Sequence, residues 1–152
     1  MTAPPPERPA VPTLTSLRPA LGLLAGLGVT VLIVFLGVTI ATLAALRGVD
    51  PKSYVAPFWT YPTSLLISML GAVAGGITTA RITAGRTLFT VLVLALILMM
   101  SALTPVLRGA AEVPGQPRWY PLALAILPAL GALLGGVRER RRERALGIVH
   151  AE

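Results

Sequence analysis

The chain has no cysteine, one histidine, and charged side chains at only 12% of its 152 positions. Each shortage removes a class of chemistry. Without cysteine there is no disulfide, thiol nucleophile, haem attachment or thiolate metal ligand. The lone histidine, His150, lies two residues from the C-terminus in a polar tail, so no imidazole is available to an apolar interior for metal binding or proton transfer. Charge is scarcest in the long apolar stretches. Residues 20–46, 61–80, 87–107 and 120–137 contain no Asp, Glu, Lys or Arg. Intramembrane ionisable groups mark proton relays and ion sites, so coupled transport is disfavoured. No nucleophile–base pair or metal cluster stands out, and the chain reads as non-enzymatic with no cofactor.

What is present is apolar surface: 55% of residues are hydrophobic and the mean hydropathy is +0.79. Crossing a hydrocarbon layer of roughly 30 Å takes about 20 residues of helix, and the four stretches meet that length. They predict an all-α membrane protein, a four-helix transmembrane bundle whose first partner is the lipid bilayer. Residues 1–19, rich in proline from Pro4 to Pro19, read as a disordered cytoplasmic leader. The first apolar run is too long for a signal-peptide core and is expected to be retained. Residues 138–152 form a basic tail, in which Arg138 to Arg144 extend the fourth helix.

The net charge of +7 and pI near 11.3 could suggest nucleic acid, but the basic residues cluster at the ends of the apolar runs. Arg8, Arg18, Arg81, Arg86, Arg138, Arg140, Arg141, Arg142 and Arg144 fall on one side, and Arg47, Lys52, Arg108 and Arg118 on the other. Nine against four predicts cytoplasmic termini, as in the inner membrane of a bacterium, and no nucleic-acid partner. The aromatics Trp59, Tyr61, Trp119 and Tyr120 belong to the opposite side, where amphipathic rings anchor helices at headgroup level. Arg81 and Arg138 are the corresponding basic anchors.

Sliding the chain on itself by 60 residues aligns Thr30-Val31-Leu32 with Thr90-Val91-Leu92, and Trp59 with Trp119. Leu70-Gly71-Ala72 falls on Leu130-Gly131-Ala132, and Gly75-Gly76 on Gly135-Gly136. The pattern points to two tandem-duplicated helical hairpins related by a two-fold axis along the membrane normal, as in parallel-repeat transporters.

Gly22 and Gly26, Gly71 and Gly75, and Gly131 and Gly135 are spaced one helical turn apart, and Gly76 and Gly136 follow the latter pairs. Such faces let neighbouring backbones approach, so all eight are expected helix-packing sites; a close-approach lining for a ligand or pore is the alternative. The third run has no glycine and reads as lipid-facing over much of its surface. Pro128 removes the hydrogen bond to the Leu124 carbonyl and predicts a kink, with Ser68 at the equivalent point of the second run. The remaining hydroxyls, such as Thr30, Thr39, Thr42 and Ser101, more often bond to their own helix than line a path.

Trp119-Tyr120-Pro121 leading into Gly135-Gly136, and Gly75-Gly76-Ile77-Thr78-Thr79-Ala80-Arg81 closing the second run, resemble a family of small uncharacterised bacterial four-span membrane proteins. The resemblance covers about residues 18 to 138 and implies the architecture without an activity. Members usually follow the Ala-Arg pair with a proline-rich basic turn and often a histidine; residues 82–86 have neither. Two functions are therefore expected to compete. One is a packing or complex-forming membrane component with a membrane-protein partner or as a homodimer. The other is a small passive permeation unit built from the two hairpins.

Overall fold

The computed structural model describes residues 14–47, 56–83, 87–108, 116–145 and 147. Those residues form four helices: α1 (Leu14–Ala45), α2 (Thr60–Ile82), α3 (Thr87–Leu107) and α4 (Tyr120–Ala145). All four are long and apolar enough to cross a membrane, and the chain is a multi-pass membrane protein. In lipid no water satisfies the backbone, so helices that close their own hydrogen bonds are the economical solution.

The element bounds follow from local chemistry. Pro62 and Pro121 fall in the first turns of α2 and α4, where a missing N–H forfeits no intrahelical bond. Both helices are entered by the same turn: the Thr60 amide donates to the Pro57 carbonyl and the Tyr120 amide to the Pro117 carbonyl, each at 3.0 Å. At its far end α2 closes on Thr83, whose amide and hydroxyl both donate to the Thr79 carbonyl, at 3.1 and 2.8 Å. The proline-rich leader was expected to reach residue 19, but α1 begins at Leu14 and carries Pro19 inside it, past the first turn, at the loss of the backbone bond to the Thr15 carbonyl. The rest of that leader lies outside the described residues. The basic stretch after residue 137 continues α4 to Ala145, as its composition suggested.

α2 and α4 form the centre and pack along each other; α1 lies on α2, α3 lies on α4, and α3 also reaches α1 and α2. The core gathers Ala72 of α2, Leu94 and Ala95 of α3 and Ala132 of α4, with Leu27 of α1 against it. From residue 56 to residue 73, every position has the same degree of burial as the residue 60 places later.

Candidate functional site

Glycine decides where backbones meet. On α1 and α2 the approach is reciprocal: a methyl group at Gly26 would lie 2.7 Å from the Gly75 carbonyl oxygen, and one at Gly75 would lie 2.5 Å from that of Gly26. Gly22 and Gly71 continue the same seam, against Thr83 and against Ile33 and Val34. A contact this close excludes any side chain and allows extensive van der Waals attraction along the seam. Thr79 is fully buried there, with its hydroxyl against Gly26 and no hydrogen-bond partner.

The second glycine set meets different neighbours. Gly131 and Gly135 face α2: a methyl at Gly131 would be 2.8 Å from the Met69 carbonyl oxygen and 3.4 Å from Cβ of Ala72, and one at Gly135 would collide with the Val73 carbonyl. Gly76 answers from α2 against the backbone of Ala132, while Gly136 accommodates the side chain of Val91 on α3. A two-fold axis between the hairpins would turn Gly131 and Gly135 towards α3, as Gly71 and Gly75 face α1. They turn to α2 instead. The α2–α4 contact therefore joins unlike faces, a head-to-tail arrangement, and the glycine faces do not follow the expected axis. Gly131 still lies at the depth of Met69 and Ala72, so the two glycine sets share one level.

The aromatic residues meet at the opposite end. Trp59 and Trp119 occupy the turns before α2 and α4 and remain partly exposed. Tyr61 and Tyr120 stack edge to face with centroids 5.1 Å apart, and the Tyr120 and Ser64 hydroxyls are 2.6 Å apart, bridging α4 to α2. At the glycine end Arg81 donates through Nε to Glu139 Oε1 at 2.9 Å, tying α2 to α4, and Arg142 lies 3.9 Å from the same oxygen. The Glu139 side chain is 11% exposed and that of Arg81 57%. Arg138 is exposed on α4 beside this pair. Sequence reasoning placed Glu139 in the tail without a partner. Its signal was being an acid set among arginines, one turn past the last glycine pair.

Most of the hydroxyls are spent locally: Thr30 donates to Gly26, Thr78 to Ala74, Ser101 to Ile97 and Thr104 to Met100, all four residues back at 2.7–2.9 Å. Ser68 differs. It is 4% exposed, forms no hydrogen bond among the described residues, and lies in the floor of a groove of about 710 Å³. Val34, Thr39 and Thr42 of α1 form one wall and Leu98 and Ser101 of α3 the other, with Leu124 and Pro128 of α4 beside Ser68. The groove occupies the aromatic half of the bundle. In the glycine half Leu27, Leu94 and Ala95 fill the space between the same helices.

The arrangement offers tight packing and an uncharged groove among the described residues. Among the described residues no cluster of three His, Asp or Glu could hold a metal. No family model, curated protein or solved structure matches the chain.

Proposed function

We propose that the protein is a non-enzymatic multi-pass membrane component that acts by association, with a membrane-protein partner or a second copy, rather than by catalysis or conduction. The observation that carries this reading is the closed glycine half: Ala72, Leu94, Ala95 and Ala132 are all but inaccessible, and no ionisable side chain is buried among them. A solute entering the groove from the aromatic side meets packed alanine and leucine. α1, which packs chiefly on α2, leaves most of its surface open, including Gly28, around which there is free space. The duplication belongs to the same reading and is supported by the matching turns at Pro57 and Pro117 and by the matched burial 60 residues apart. So does the resemblance to the bacterial four-span family, with both termini cytoplasmic in the inner membrane and Trp59, Tyr61, Trp119 and Tyr120 at the outer headgroups.

Reconstitution separates association from permeation. Liposomes containing the purified chain should hold a proton gradient and a potassium gradient as long as empty liposomes do, while light scattering in mild detergent should report a mass above that of one chain. Gradient dissipation that tracks protein content would favour the small passive permeation unit. Orientation is read from reporters: one fused after Glu152 should be cytoplasmic and one inserted within residues 49–58 external.

A further inference from the structure

The groove combines features that packing does not require. In an apolar medium a serine hydroxyl usually returns to the carbonyl one turn back, as Ser101 does to Ile97. Ser68 does not, although it is nine-tenths buried and on the groove floor. Pro128, also in the lining, has no N–H to give the Leu124 carbonyl, so a backbone acceptor beside the groove lacks its helical donor. The Ser68 hydroxyl and the Leu124 carbonyl thus lack partners among the lining of a cavity walled mainly by apolar groups such as Val34, Val38 and Leu98, with the Thr39 and Thr42 hydroxyls on the α1 wall. A buried polar group without a partner is costly, and more so where lipid replaces water.

The volume of about 710 Å³ falls within the range of small-molecule sites, roughly 300–1,000 Å³. No charged residue lines the groove among the described residues. A carboxylate or ammonium group would arrive there without a counter-charge to offset its lost hydration. The walls belong to α1 and α3, so entry is lateral, from the hydrocarbon of the leaflet on the aromatic side.

We infer that the groove binds a neutral amphiphile, a long apolar body bearing one hydroxyl, drawn from the bilayer with that hydroxyl between Ser68 and the Leu124 carbonyl. This stands whether or not the chain has a protein partner. A hydroxyl serves both groups at once, accepting from Ser68 and donating to Leu124. Ordinary acyl chains fill the volume but leave both unsatisfied.

The test uses the full chain in lipid nanodiscs with three photoactivatable sixteen-carbon probes differing only at the head: a primary alcohol, a carboxylate and a plain hydrocarbon. The alcohol should label groove peptides saturably and be displaced by unlabelled hexadecanol. Ser68→Ala should raise its half-saturation about fivefold, the loss of one net hydrogen bond, and Ser68→Thr should restore most of it. Val38→Trp, which fills the groove, should abolish saturable labelling, and the rescue by Ser68→Thr guards against a folding defect in the serine variant. Leu92→Ala, on the exposed face of α3, should change nothing. Equal, unsaturable labelling by alcohol and hydrocarbon, or a response unchanged in Ser68→Ala, would show the groove to be filled by bulk lipid and overturn the proposal. Preferential labelling by the carboxylate would also overturn it, because the ligand would then be charged.

Discussion

The two hairpins, α1–α2 and α3–α4, share letters, and residues 56–73 share their burial with residues 116–133, but the hairpins do not share neighbours. Gly71 and Gly75 seat α1, whereas Gly131 and Gly135 seat α2. Val31 is 57% exposed and Val91, 60 residues on, is fully buried under Gly136. A helix face offers small residues and close approach; which neighbour takes it depends on how the whole bundle closes. Joining unlike faces gives α2 and α4 two occupied sides each and leaves α1 on the outside. The lesson is that segments alike in sequence supply similar surfaces without dictating equivalent contacts.

The comparison can be broken most forcefully at the central seam. Leucine at Gly76 or Gly135 would meet backbone of the facing helix, which cannot swing away as a side chain can. Each substitution should cost about 1–3 kcal/mol, measured as detergent-resistant thermal stability. Gly75→Leu should fall in the same range, but only the α1 contact should be lost, so crosslinks between α2 and α4 should survive. A cost below the error at all three sites would mean that the seams are loose.

The next effect sharpens the asymmetry directly. Val91→Ala should open a small cavity and cost about 1 kcal/mol, whereas Val31→Ala, facing lipid at the repeat-equivalent position, should cost close to nothing. Equal losses would restore the symmetric arrangement. Smaller still is Tyr120→Phe, which removes the contact to Ser64 and should cost roughly 0.6 kcal/mol, typical of interhelical hydrogen bonds in membranes. Glu139→Gln should also weaken the bundle by about 0.5–1 kcal/mol, a modest figure because the Arg81 partner is largely in solvent. High salt should shrink the Glu139 effect and leave that of Tyr120 unchanged.

Much of the architecture was legible in the residues. Four uncharged apolar runs specify four helices, and α3 came out at Thr87–Leu107 because the short turn before it and the basic residue after it delimit the run unambiguously. Glycines at one-turn spacing marked the seams, since only a missing side chain admits a backbone. The identity of the partner across each seam was not legible. Gly75 and Gly135 read alike, and the choice between α1, α2 and α3 rests on the sum of contacts over the bundle. The start of α1 was missed because the prolines up to Pro19 read as a disordered leader, yet a single proline inside a long helix forfeits only one backbone bond. Ser68 and Pro128 were both noticed as polar or kinking positions, but nothing local showed that they line one groove.

Because the chain has no cysteine, paired substitutions give a clean readout of which faces meet. A methyl at Gly131 lies 3.4 Å from Cβ of Ala72, and one at Gly71 lies 3.4 Å from Cβ of Ile33, both close to disulfide spacing. The decisive measurement is oxidative crosslinking of three double variants in native membranes: Ile33→Cys with Gly71→Cys, Ala72→Cys with Gly131→Cys, and Val93→Cys with Gly131→Cys. The head-to-tail arrangement is expected to give efficient disulfides in the first two and little in the third. Crosslinking of the third pair with failure of the second would place the glycine face of α4 on α3, and would contradict the arrangement described here.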